Sequence, residues 1–169
     1  MLPTASPAPT AVATCYLYAV MRVLILYETR RGFTLTVARA IRDELRTRGQ
    51  EATAAPIRHV DLGTVTAADA LIVGAWVQGV VIARVGPATG AIEGIDALPE
   101  LQQIRTATFC TCDVAPRRTL AILAEHLGDR GADVVGGFAF KRKKSLRHVS
   151  AYVDAVLPLL LVPAAAPGA

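Results

Sequence analysis

The sequence predicts an α/β fold in which helices cover both faces of a doubly wound, five-stranded parallel sheet. Segments typical of strands and of helices alternate along the chain, as they do when crossover helices join parallel strands. The first strand, residues 22–27 (RVLILY), is a continuous apolar run after its first residue, as a strand buried on both faces should be. The helix that follows, residues 33–48, places Val37, Ile41 and Leu45 on one side. These features favour a three-layer α/β/α sandwich.

Apolar runs and the Gly and Pro residues between them define the remaining elements. Later strands are predicted at residues 51–56, 69–75, 105–112 and 132–140. Later helices are predicted as one or two turns within residues 92–101, a helix opened by Pro116 and closed by Gly128 and Gly131, and a last helix over residues 145–157 that Pro158 ends. Residues 76–90 contain three glycines and a proline, which predicts a long loop or a distorted crossover.

One domain is expected from a chain of 169 residues. Residues 1–21 lack the Lys and Arg of a secretory signal, so they are expected to be a disordered leader or a mis-assigned start, with the natural start at Met21. Residues 22–158 form the predicted domain, and residues 159–169 the predicted disordered tail.

Composition narrows the functional classes. The chain is 53% hydrophobic and 19% charged, which favours a packed core over disorder, and its net charge of +4 is only mildly basic. Three cysteines indicate a reducing, cytoplasmic setting, and no apolar stretch is long enough for a transmembrane segment. No metal site, nucleic-acid site or catalytic acid, base or nucleophile is predicted.

The turn after the first strand is the most informative segment. In doubly wound sheets, ligands bind beyond the carboxyl ends of the strands where the strand order reverses. Here that turn holds Thr29, Arg30, Arg31, Gly32, Phe33 and Thr34 and leads directly into a helix. Hydroxyls, a glycine and the positive end of a helix together predict a phosphate-binding loop.

Residues 25–41 (ILYETRRGFTLTVARAI) resemble the flavodoxin signature from the apolar pair and aromatic residue through to the helix. This resemblance implies a flavodoxin-like sheet of order 2-1-3-4-5 that binds FMN, with the loop 29–34 on the phosphate. It also implies two loops beside the isoalloxazine ring, where an aromatic side chain often stacks. By position, the first loop contains Trp76, Val77 and Gly79, and the second contains Cys112, Asp113 and Val114.

Within that superfamily, the segments LYETRRGFT and VGAWVQG are most similar to the branch of the menaquinone-dependent protoporphyrinogen oxidase. The resemblance implies an FMN-binding electron-transfer protein or oxidoreductase, with a redox partner protein or a quinone-like acceptor. A quinone-linked enzyme of the oxidase type and a cofactor-free binding module are the alternatives.

A basic run, residues 141–144 (KRKK), follows the predicted fifth strand, with Arg147 and His148 beyond it. It is either a solvated surface or a docking site for an acidic partner, an anionic membrane surface or a nicotinamide-nucleotide phosphate. Together with Arg30 and Arg31, it leads us to expect a higher potential for the second reduction step than in acidic flavodoxins. Cys110 and Cys112 are expected either to fill the sheet or to exchange electrons with the flavin.

Overall fold

The computed structural model describes residues 20–80, 83–143 and 145–162, and these residues form the predicted α/β fold. The strands are β1 (Arg22–Glu28), β2 (Glu51–Pro56), β3 (Ala70–Val80), β4 (Ala83–Pro87), β5 (Arg105–Cys112) and β6 (Asp133–Lys141). The helices are α1 (Phe33–Thr47), α2 (Leu62–Ala67), α3 (Thr89–Asp96), α4 (Thr119–Asp129) and α5 (Val149–Leu161), with 3₁₀ turns at Ile57–His59 and Ser145–His148.

Five parallel strands lie in the order β2-β1-β3-β5-β6, while β4 pairs antiparallel with the end of β3. Without β4, this is the predicted order 2-1-3-4-5. The strand order reverses at β1, which lies between β2 and β3, so the loops after β1 and β3 meet at one edge of the sheet. This carboxyl edge is where the sequence predicts a ligand.

Two apolar clusters hold the layers together. Alternate residues of each strand face opposite sides, so Ile25 of β1 packs beneath α1 and α5 whereas Leu24 packs beneath α3 and α4. Phe109 of β5 is fully buried on the α1 and α5 side, with its ring centroid 5.9 Å from that of Phe140. Burial on both sides explains why residues 23–27 of β1 and 70–73 of β3 are apolar, whereas β5 buries three threonines among its apolar residues.

The prediction of a long loop or a distorted crossover over residues 76–90 is wrong, because β3 and β4 occupy most of this segment. β3 continues five residues beyond the predicted end at residue 75, and β4 returns alongside it with Val77 opposite Pro87 and Gln78 opposite Gly86. The register shifts between Gln78 and Val80, and Gly79 at the shift has a φ of 117°. Glycine permits this irregularity. Because the segment is rich in glycine, its sequence predicted a loop and not a pair of strands.

The predicted end of the last helix at Pro158 is also wrong. α5 continues through this proline to Leu161, although proline removes one helical hydrogen bond. Leu157 and Leu160 are buried on either side of it, so core packing outweighs the local preference. The predicted tail therefore begins within a helix, and residues 163–169, like residues 1–19 of the predicted leader, lie outside the described residues.

Smaller differences concern element ends. α3 begins at Thr89 and not within the predicted 92–101, and α4 begins three residues after Pro116. The fifth parallel strand runs one residue later than predicted, and α2 was not predicted. Among the described residues, no helix has the length and hydropathy needed to cross a bilayer.

Substitution of Gly74 tests the close packing at the centre of the sheet. A Cβ atom on Gly74 would lie 2.0 Å from the ring of Phe109, which is fully buried and cannot move aside. We expect Gly74→Ala to lower the free energy of unfolding by about 3 kcal/mol, measured by urea denaturation, because the added methyl group overpacks the core.

The control is Gly128→Ala. Gly128 lies in α4, where an added Cβ meets nothing within 4 Å. This variant should be neutral or more stable by up to about 1 kcal/mol. Equal stability of the two variants would contradict the packing argument.

Candidate functional site

A cleft of about 460 Å³ opens at the carboxyl edge of the sheet, where the ends of β3 and β5 meet the segments that follow β1, β5 and β6. Ten of the twelve predicted site residues line it: Thr29, Arg30, Arg31, Phe33, Thr34, Trp76, Val77, Gly79, Cys112 and Asp113. Residues that lie far apart in sequence thus form one concave surface.

The start of α1 forms one wall of the cleft. Gly32 precedes the helix with a φ of 82°, and its N–H donates to the Thr29 hydroxyl at 3.0 Å. The carbonyl of Gly32 accepts from both the N–H and the hydroxyl of Thr36, at 2.9 and 3.0 Å. This arrangement closes the first helical turn around the loop.

No side chain among the described residues caps α1, and its first turn contains no acidic residue. Helix geometry leaves the N–H groups of Phe33, Thr34 and Leu35 without intrahelical acceptors. Arg30 and Arg31, both exposed, add two positive charges beside these donors. The wall is therefore suited to an anion such as a phosphate.

A buried pair of hydroxyl groups lies at the base of the cleft. Thr34 and Thr111 are 1% and 4% exposed, and their Oγ1 atoms are 2.9 Å apart. This hydrogen bond joins the first turn of α1 to the end of β5, and thereby fixes the position of the helix N-terminus over the sheet.

Aromatic rings in the cleft wall each have a guanidinium group nearby. The Arg30 guanidinium is 5.7 Å from the centroid of Trp76, and the Arg142 guanidinium is 5.6 Å from that of Phe33. Arg142 also pairs with Asp113, whose Oδ1 lies 3.3 Å from its Nε. These contacts hold flexible cations at the edge of the cleft.

Trp76 belongs to the strand pair and not to a free loop. Its carbonyl accepts from the N–H of Ala88 at 3.1 Å, and its half-buried ring packs against the core beneath α3 and α4. Further along, the Gln78 side chain accepts from the N–H of Thr89 at 3.3 Å. Backbone pairing therefore fixes the aromatic wall.

The two cysteines of β5 are buried and free. Burial, and secondarily the neighbouring Cys112, raises the pKa of Cys110 to about 12. Burial also raises the pKa of the Cys112 thiol, although Lys141 partly opposes this effect. Both groups are thiols at neutral pH, which disfavours thiolate chemistry.

Two predicted residues lie outside the main cleft. Gly32 shapes the loop without lining the cleft, and Val114, 67% exposed, lines a smaller adjoining cavity of about 130 Å³. The described residues contain no cluster of three or more His, Cys, Asp or Glu side chains placed to hold a metal ion.

Three cleft residues were missed by the sequence prediction: Gln78, Thr111 and Arg142. Thr111 could have been found, because strand alternation places it on the α1 side of β5. Arg142 was noted only as part of the basic run, and Gln78 lies in the segment predicted as a loop.

Comparison with known proteins agrees with the fold. The family model described as "Flavodoxin" matches residues 25–147. A flavodoxin from the domain Archaea matches with a TM-score of 0.67 and 16% identity over 83% of this chain and 99% of its own. Oxidised flavodoxin 1 from Bacillus cereus matches with a TM-score of 0.64 and 18% identity over 81% and 97%.

A larger protein contains a similar unit. Rubredoxin oxygen:oxidoreductase from Desulfovibrio gigas matches with a TM-score of 0.61 and 19% identity, over 83% of this chain but only 37% of its own. The search of curated proteins finds no match. At identities below 20%, the solved structures show only that the fold is shared. Membership of a family is shown by the family model, which covers most of the chain.

The hydroxyl pair at the base of the cleft gives a test of local stability. We expect Thr34→Val to lower the free energy of unfolding by about 1–3 kcal/mol, because it leaves the buried Thr111 hydroxyl without its partner. Thr34→Val with Thr111→Val should recover most of that loss, since both polar groups are then removed. Additive losses in this double-mutant cycle, measured by chemical denaturation, would refute the coupling.

Proposed function

The chain belongs to the flavodoxin family of FMN-binding electron-transfer proteins, and from this we propose that it is a short-chain member that passes electrons between a reductant and a redox partner. The observation that supports this proposal most strongly is the uncapped start of α1, with Arg30 and Arg31 beside it, facing the same cleft as Trp76. An anion site and an aromatic wall in one cleft match the two ends of FMN.

We propose a division of roles among the residues at the cleft. The loop from Thr29 to Thr34 holds the phosphate through the free N–H groups of α1, the two arginines and the threonine hydroxyls. Trp76, Val77 and Gly79 border one side of the ring, and Cys112, Asp113 and Val114 border the other.

When bound, FMN supplies the one- and two-electron redox chemistry. The protein's residues hold the cofactor, exclude water from part of the cleft and set the local charge. We assign no side chain as a catalytic acid or base, because the electron-transfer role needs none. We propose a cytoplasmic location, consistent with the reduced, buried thiols.

Experiments distinguish this proposal from the two alternatives predicted from the sequence, a cofactor-free binding module and a quinone-linked enzyme of the oxidase type. Purified protein should be yellow and show flavin absorbance bands. A colourless protein that also fails to bind added FMN would favour the cofactor-free binding module. Steady turnover of a nicotinamide donor with a quinone, or of protoporphyrinogen, would favour the oxidase-type enzyme over a carrier.

Gly32 tests the phosphate loop. Its φ of 82° strains any residue with a Cβ, so Gly32→Val should shift the loop away from the helix N–H groups. We expect the Kd for FMN, measured by quenching of flavin fluorescence, to rise by about tenfold or more.

Gly49 provides a matched control. It has a φ of 79° just beyond the other end of α1, and an added Cβ meets nothing within 4 Å at either glycine. Gly49→Val should therefore lose similar stability without losing FMN affinity. Unchanged affinity in both variants would refute the proposed phosphate loop.

Arg30 tests the effect of charge on the reduction potential. A positive charge beside Trp76 favours additional negative charge in the cleft, so Arg30→Gln should lower the potential of the second one-electron step by roughly 20–60 mV. Spectroelectrochemistry measures this shift, which should shrink as salt is added. The control is Arg39→Gln, an exposed position within α1, and an equal shift there would contradict the local Coulomb argument.

A further inference from the structure

Basic residues are concentrated in three loops at the ends of β1, β5 and β6, the last of which is taken to include Lys141, the final residue of β6. The loops span residues 29–32, 113–118 and 141–148, and their sequences contain nine basic residues and one acidic residue, Asp113. Outside them, acidic residues outnumber basic ones by thirteen to nine. The chain's modest net charge of +4 therefore conceals a strong separation of charge.

Eight of these nine basic residues are described, and all eight are exposed; Lys144 lies outside the described residues. We call these eight side chains the basic face: Arg30, Arg31, Arg117, Arg118, Lys141, Arg142, Lys143 and Arg147. Three of them also line the main cleft, and Arg117 lines the smaller adjoining cavity, so the basic face includes part of the cleft opening.

Ion pairing differs between the basic face and the rest of the molecule. Elsewhere, five of the eight arginines whose side chains are described pair with carboxylates, as in Arg22 with Asp69 at 2.9 Å and Arg105 with Asp133 at 3.2 Å. On the basic face, Arg142 alone has such a partner among the described residues. Arg30 and Arg31 also belong to the proposed phosphate site, so the charges that remain available to a partner are those of the five basic-face residues that do not line the main cleft.

Two exposed apolar side chains lie in the same loops. Val114 is 67% exposed and Leu146 is 56% exposed, although most large apolar side chains are buried. Apolar contacts combined with charge are typical of a protein interface. A site for a small anion alone would not need them.

We propose that the basic face is the docking surface for an acidic redox protein, an inference that rests on the proposed electron-transfer function. Docking there places the partner's redox centre at the cleft opening, and complementary charge accelerates the encounter. The aromatic rings nearest to the basic face, Phe33 and Trp76, are half-buried in the cleft wall, and no Trp, Tyr or Phe lies within residues 113–118 or 141–148. Rings that anchor proteins at a lipid surface or stack on unpaired bases are, by contrast, exposed. An acidic protein surface therefore fits better than a membrane or a nucleic acid.

The test compares two acceptor proteins of opposite charge. The FMN-loaded protein is reduced photochemically and mixed in a stopped-flow instrument with an acidic plastocyanin or a basic cytochrome c. One electron leaves the protein for each Cu(II) reduced to Cu(I), or each Fe(III) haem reduced to Fe(II). We expect the rate with plastocyanin to fall steeply with added salt, and the rate with cytochrome c to rise or stay level.

Charge reversal locates the surface. Lys143→Glu and Arg147→Glu should each slow plastocyanin reduction by about threefold at low salt, because both residues contribute to the attractive field. Arg39→Glu, an equal change of charge within α1, should alter the rate much less. Equal effects at all three positions would show that only net charge matters, and would overturn the docking surface.

The remaining outcomes separate the two levels of the proposal. Failure to bind FMN, or to reduce either acceptor, overturns the electron-transfer function and the docking inference together. If cytochrome c is instead reduced faster at low salt than at high salt, the docking inference alone is overturned. Sedimentation with phosphatidylglycerol vesicles at physiological salt, with no preference between acceptors, overturns it in favour of a membrane surface.

Discussion

The parallel register of β1, β3 and β5 is the constraint on which the site depends. Tyr27 pairs with Gly74, and Gly74 with Phe109, so the three strands reach the carboxyl edge side by side. Because Gly74 has no side chain, the Phe109 ring can lie against its backbone, where a Cβ would be 2.0 Å away. A shift of one residue would reverse the faces of a strand and separate the loops. The central packing and the assembly of the cleft therefore have the same origin.

Electrostatics at the carboxyl edge reinforce this arrangement. The N-terminus of α1 contributes partial positive charge, and Arg30, Arg31 and Arg142 of the basic face add full charges at the same cleft. Without an anion these groups repel one another, and the described contacts reduce that cost only in part: Arg30 lies over Trp76, and Arg142 lies beside Phe33 and Asp113. An anionic ligand relieves the repulsion, so the cost of assembling these charges becomes part of the binding free energy.

The local sequence predicted those features that depend on one element at a time. β2 and β5 have the predicted bounds, and the loop before α1 lies at the cleft, because an apolar run or a turn into a helix is visible in a short window. The strand pair of β3 and β4 was missed because its pairing is set by tertiary structure and interrupted at Gly79. The continuation of α5 through Pro158 depends likewise on the burial of Leu160. That burial is set by tertiary packing and cannot be predicted from the residues next to the proline.

The missed strand pair also changes how the site works. A loop at Trp76 would have to become ordered when a ring binds, and fixing backbone residues costs roughly 1–2 kcal/mol each. Here the Trp76 carbonyl is already bonded to Ala88, and Val77 already lies opposite Pro87, so folding has met that cost before any ligand arrives. The Thr34 and Thr111 hydroxyls fix the opposite wall in the same way. With both walls preformed, ligand binding needs little further ordering, which favours higher affinity than an equally lined but flexible cleft would have.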